Sequence, residues 1–249
     1  MMTISRAGLA AALLVAASSA QAADMPAIEP IVAPLATSAF NWTGFYAGAQ
    51  IGYGWGNDNT VEYVTGTDIL TGLAYELPSQ GPLGGIFAGY NHQMNSIVIG
   101  GEADIEAADI RGDFGDEITG VGAGASHIDW QGSVRARLGF TATDRALVYL
   151  TGGVAFANIN YVYSRTALIP PAVDEPVTNF RTGWTLGAGL EYALTENVTV
   201  RGEYRYTDYG TFRNESKIAF GPGVVNAAGL TAEQDPTTST VRLGIAYKF

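Results

Sequence analysis

The residues able to do chemistry in this chain recur at every second position. Glu102, Asp104 and Glu106 are spaced this way, as are Arg135 and Arg137, and Arg201, Glu203 and Arg205. Glu191, Arg242 and Lys248 lie in segments with the same rhythm. In an extended chain successive side chains point to opposite faces, so each set projects to one side of its strand. Five acids facing six bases nearly cancel. An interior that holds them needs a hydrogen-bonded ion-pair network, because unpaired buried charge is costly. The same residues could instead line a narrow, gated water path.

Hydrolytic chemistry has little to work with. His92 and His127 are the only histidines, and His92 falls on the apolar parity of its strand. Ser126 and His127 are adjacent, with Asp129 on the face of His127. Neighbouring strand residues point apart, so Ser126 and His127 do not make a nucleophile–base pair, and no enzyme is expected. The run 120–124, Gly-Val-Gly-Ala-Gly, imitates a phosphate-binding loop but lacks the following lysine and helix. Without cysteine there is neither a disulfide nor a thiolate metal site. The acidic segments also lack the regular oxygen spacing of a calcium loop. No metal and no cofactor are expected.

The elements that must carry these residues are strands with two unlike faces. Around the central arginines, Ile128, Trp130, Val134, Ala136, Leu138 and Phe140 alternate with Asp129, Gln131, Ser133, Arg135, Arg137 and Thr141. Similar alternation near 43–56, 84–94, 97–109, 146–161, 184–194, 198–206 and 240–249 makes eight segments. Each reaches the roughly 9–11 residues of a tilted membrane-spanning strand, beyond the 5–6 or so usual in soluble sheets. The pattern predicts an all-β fold: an eight-stranded antiparallel transmembrane β-barrel in an up-and-down meander. A barrel of that size has an interior just wide enough for side chains to fill, so the lumen is expected to be plugged.

Tight connections at 94–96, 142–145 and 195–197 alternate with long polar ones at 57–83, 110–127, 164–180 and 210–239. Short inner turns and long outer loops are the asymmetry of such barrels. The four long segments hold twelve acidic and four basic residues, so the acidic excess is read as a property of the outer loops. With odd strands running outward, Phe45, Phe140, Tyr192, Tyr247 and Phe249 fall at the inner rim. Tyr53, Trp55, Trp130, Phe156, Trp184 and Tyr206 fall at the outer one. Two aromatic girdles follow from one register assumption.

The chain ends are read separately. Arg6, the apolar run 7–17 and the small-x-small site Ala20-Gln21-Ala22 mark residues 1–22 as a cleaved signal peptide. Residues 23–40, with Pro26, Pro30 and Pro34, read as an extended periplasmic linker, and 41–249 as the barrel. An excess of 24 acidic over 13 basic residues argues against a nucleic-acid partner.

Several segments together carry a family likeness. Asn41-Trp42-Thr43-Gly44-Phe45-Tyr46-Ala47-Gly48, Gly85-Ile86-Phe87-Ala88-Gly89-Tyr90-Asn91 and Gly100-Gly101-Glu102-Ala103-Asp104 resemble the first three strands of small alphaproteobacterial outer-membrane barrels of the porin-family or OmpA/Ail-like kind. Arg135-Ala136-Arg137-Leu138-Gly139, Thr151-Gly152-Gly153-Val154-Ala155, Gly187-Ala188-Gly189-Leu190-Glu191-Tyr192 and Arg201-Gly202-Glu203-Tyr204-Arg205-Tyr206 are similar to later ones. The resemblance implies the outer membrane of a Gram-negative bacterium, with lipid and lipopolysaccharide as surroundings. It also implies that Tyr247 and Phe249 form the C-terminal signal read by the barrel-assembly machinery. Unlike OmpA, the chain stops at Phe249 without a periplasmic domain, so anchoring through such a domain is not implied. The expected role is structural support of the envelope, with acidic loops outside. The alternatives are a low-conductance channel for small solutes, and an adhesin or host-interaction surface on the long loops.

Overall fold

A computed structural model describes residues 39–64, 66–67, 69–115, 123–165, 173–216 and 230–249. The expected signal peptide and residues 23–38 of the expected linker lie outside the described residues. The strands are β1 (Gly44–Val64), β2 (Leu70–Met94), β3 (Ile97–Gly115), β4 (Ala123–Thr141), β5 (Ala146–Arg165), β6 (Val173–Ala193), β7 (Val198–Asp208), β8 (Phe212–Ser216) and β9 (Leu230–Lys248). There is no helix among the described residues.

From β1 to β7 each strand pairs antiparallel with the next in sequence, and β1 closes the sheet on β9 from Tyr46↔Lys248 to Val64↔Leu230. β7 and β8 both lie along β9, with Asp208 opposite Thr237 and Phe212 opposite Gln234. They are two halves of one strand position, interrupted at residues 209–211, and the barrel has eight positions. At the break Gly210 takes a left-handed φ of 70°, which glycine adopts without strain. The Asp208 carboxylate accepts the Gly210 N–H at 2.8 Å. The tight inner turn after β2 uses Asn95 at φ 55°, a residue that tolerates this conformation.

The alternation places apolar residues outside and polar ones inside. Ile51, Leu138 and Leu243 are exposed on the outer wall, while Gln50, Arg137 and Arg242 are buried. Glycine on the inner face makes room for two long side chains. A Cβ on Gly89 would lie 2.4 Å from the Tyr46 hydroxyl, and one on Gly189 would lie 2.4 Å from the Tyr149 ring.

Three expectations need correction. Most of 57–83, 110–127 and 164–180 is paired sheet, not loop: β1 and β2 pair as far as Tyr63↔Leu70, β3 and β4 to Gly115↔Ala123, and β5 and β6 to Arg165↔Val173. β9 likewise takes up residues 230–239. Outside the bilayer both faces of a strand can be polar, so the contrast that marks a strand fades. Ile128, expected outside beside Trp130, is turned in. Register shifts bracket Asp129 on both flanks of β4, leaving Ile128 5% exposed and Trp130 36%, the re-aiming that a bulge produces. Phe40, expected in the linker, is buried with Trp42 against Val98, Leu147 and Ala193 at the inner mouth of the barrel.

Candidate functional site: the charged lumen

Register brings the charges together. Glu102 lies across from Arg135, Glu191 from Arg201, and Glu203 from Arg242. The centre of the assembly is Glu102. Its carboxylate accepts hydrogen bonds from Arg135 Nη2 and Arg201 Nη1, both at 2.5 Å, and from the Tyr46 hydroxyl at 2.9 Å. Arg135 also reaches Glu203 at 2.8 Å and Asp104 at 3.1 Å. Arg205 bridges the same two acids, at 2.8 Å to Glu203 and 3.2 Å to Asp104.

Towards the inner mouth, Arg137 contacts Glu191 directly and lies 3.9 Å from the Tyr149 ring centre, close enough for a cation–π attraction. Thr199 donates to Glu191 at 2.5 Å. Towards the outer end, Arg242 binds Glu106 through two parallel bonds of 2.8 Å, the fork geometry that makes such pairs strong. Gln50 and Gln131 each donate to Glu106 at 2.8 Å. Side-chain exposure across these pairs is 0–5%.

Five carboxylates (Glu102, Asp104, Glu106, Glu191, Glu203) thus meet five guanidiniums (Arg135, Arg137, Arg201, Arg205, Arg242), and formal charge is zero. Lys248, expected among them, stands apart. Its Nζ donates to the Asn41 carbonyl at 2.5 Å and lies 4.9 Å from the Phe40 ring. At the last residue of β9 its long stem reaches the rim rather than the axis. The sequence reading overlooked the neutral members: Tyr46, Gln50, Gln131, Ser133, Tyr149 and Thr199. They share the inward parity of the charges, and that parity was the available signal.

Other expected residues fall as follows. Phe45, Phe140, Tyr192, Tyr247 and Phe249 are exposed on the outer wall at the end that carries the tight turns. At the opposite rim Tyr53, Trp55, Trp130 and Trp184 are exposed, and Phe156 and Tyr206 half-buried. Phe180, at the edge of a segment whose composition reads as loop, joins them 6.0 Å from Trp130 and 6.1 Å from Phe156. His92 is exposed. Ser126 is buried in the interior, while His127 sits outside, 3.0 Å from both Asp109 and Asp129, so Ser126 and His127 do face opposite ways.

Towards the outer end the interior changes character. Leu83, Ile110, Ile128, Ala155, Ala157, Ile159, Tyr161, Tyr209 and Phe212 form an apolar core. Above Trp55, Asp58 is also turned inward, accepting the Tyr161 hydroxyl at 2.6 Å and the Asp235 N–H at 3.1 Å. Burial raises its carboxyl to about 6, against the opposing pull of those two donors.

The outer membrane protein beta-barrel domain family matches residues 9–249. The chain belongs to that family. This outer-membrane barrel is 36% identical over 94% of its length to the 31 kDa outer-membrane immunogenic protein of Brucella melitensis, of which 95% is covered. It is 32% identical over 97% of its length to the 25 kDa outer-membrane immunogenic protein of Brucella abortus, of which 96% is covered. The crystal structure of the outer membrane protein OprG from Pseudomonas aeruginosa matches 85% of this barrel and 99% of OprG with a TM-score of 0.53 at 12% identity, a likeness of fold alone. Family and relatives place the barrel in the bacterial outer membrane.

Proposed function

We propose that this outer-membrane barrel is a sealed, non-enzymatic structural element of the envelope that presents its strand extensions to the outside. One observation carries the reading: ten charged side chains fill the lumen and leave 0–5% of their side-chain surface exposed. Ion pairs locked to this degree line no water path. The Phe40–Trp42 cluster at one end and the apolar core at the other support the same conclusion. The description of two relatives as immunogenic favours surface recognition of the extensions as a second role. In this reading Tyr247 and Phe249 engage the assembly machinery, and lipid and lipopolysaccharide surround the girdles.

The test is single-channel conductance of the refolded barrel in a planar bilayer, with insertion shown separately by heat-modifiable gel migration. A silent bilayer is expected. Large, steady, weakly selective openings would transfer the function to a porin-like channel.

A further inference from the structure

The lumen and the outer layer treat buried carboxylates differently. Each lumen carboxylate meets a guanidinium. Asp58 is as deeply buried but has no basic partner among the described residues; only the Tyr161 hydroxyl and the Asp235 N–H hold it. Arg181 of β6 lies over the Phe212 ring, 3.3 Å from its centre, and makes no ion pair with Asp58. The Asp235 carboxylate adds a second negative charge nearby. A buried charge in such surroundings is costly until a cation joins it.

Register gathers further oxygens around this carboxylate. Thr60 is the next inward residue of β1 and stands opposite Gln234 of β9, which stands opposite Phe212 of β8. Tyr161 reaches over from β5 on the far wall to both ends of that group. Its hydroxyl meets Asp58, and its ring centre lies 6.0 Å from that of Phe212. Asp58, Thr60 and Gln234 thus share an enclosure under one phenol, each 1–4% exposed. The Thr60 hydroxyl oxygen is buried there without a hydrogen-bond partner, which native interiors avoid.

Two independent needs therefore meet in one place: a carboxylate without positive charge and a hydroxyl oxygen without a partner. Oxygen donors suit a hard cation. One carboxylate balances one positive charge, and a divalent ion would leave its excess charge buried. We propose that Asp58 and Thr60 bind a single monovalent alkali cation inside the outer layer of the barrel, beneath Tyr161.

The experiment uses the full barrel, ¹³C-labelled at aspartate and threonine, in phosphatidylcholine nanodiscs. Asp58 is titrated with acid in sodium, potassium or tetramethylammonium chloride at equal ionic strength. Tetramethylammonium is too large for the enclosure and reports the proton alone. With an alkali ion at about ten times its Kd, protonating Asp58 should take roughly tenfold more acid than in tetramethylammonium. Where Asp58 is ionised, the Thr60 methyl signal should shift saturably with sodium or potassium and not with tetramethylammonium. Thr60→Val, which keeps the shape and removes the oxygen, should abolish the difference between salts, and Thr60→Ser should retain it. Asp58→Asn should abolish the saturable shift. Heat-modifiable gel migration checks that each variant is folded. Identical titrations of the unaltered barrel in all three salts would overturn the site and leave the proton as the sole occupant of Asp58. An alkali effect that survives Thr60→Val would overturn Thr60 as a ligand.

Discussion

Within the girdles the barrel interior is ion pairs around Glu102 and Arg135; towards the outer end it becomes an aliphatic and aromatic core, with Ile110, Ile159 and Phe212, joined by buried neutral side chains such as Thr60 and Gln234. The outer wall shows the opposite order. Leu138, Leu150 and Leu243 face lipid between the girdles, while Asp109, Arg111 and His127 face outward beyond them. One sheet is thus built inside-out where it meets hydrocarbon and the ordinary way round where it meets water. The lesson is that the solvent sets side-chain polarity on each stretch, and backbone pairing is indifferent to it. In lipid an apolar interior would gain nothing from burial, so the lumen is free to hold polar groups, which must then satisfy one another. In water the interior is stabilised by removing apolar surface, at about 25 cal/mol per Å².

The two layers should therefore fail differently. Replacing Arg135 with Met removes the guanidinium shared by Glu102, Asp104 and Glu203 and leaves the buried network one positive charge short, which should cost about 3–5 kcal/mol, the largest effect expected. Urea unfolding followed by gel migration measures it, and a loss under 1 kcal/mol would mean the network is slack. Ile159, 1% exposed in the outer core, should cost about 2–5 kcal/mol as Ala through cavity formation. Unlike the arginine variant, it should leave the membrane-embedded tryptophan emission unchanged before unfolding.

The third test is pH. The Asp58 carboxyl titrates near 6 when folded and near 3.9 when unfolded, so the folded chain holds the proton more tightly. Stability should rise as pH falls from 7 to 5, by about 1 kcal/mol, and Asp58→Asn should flatten that slope. A barrel that weakens over the same range would show that Asp58 does not control the outer layer. The smallest effect belongs to Lys248→Ala, which should cost under about 0.5 kcal/mol, because its ammonium is on the rim and outside the network. A loss comparable to Arg135→Met would return Lys248 to the lumen.

How much of this could be read in the sequence follows the same division. Between the girdles, Arg135 and Arg137 alternate with Val134, Ala136 and Leu138, and the contrast between faces fixes strand, parity and lumen together. Beyond Trp55 both faces are polar, Asn57 and Asn59 outside and Asp58 and Thr60 inside, so the stretch reads as loop although it is paired strand. Asp58 was counted as outward charge for the same reason. The register shift at Asp129 has no compositional signature. It is visible only in pairing on both flanks, and it reverses the side on which Ile128 is found.

The closure of β1 on β9 has a consequence for how the molecule is made. Tyr46 finds its partner in Lys248, at the far end of the barrel sequence, so the first strand must wait for the eighth strand position to be filled before its free edge is satisfied. An intermediate with fewer strands would expose two rows of unpaired N–H and C=O groups to hydrocarbon, at several kcal/mol per group. Contacts this remote in sequence are also slow to form. Insertion is therefore a single late and slow event, in which the two edge strands meet as the sheet enters the hydrocarbon rather than after it.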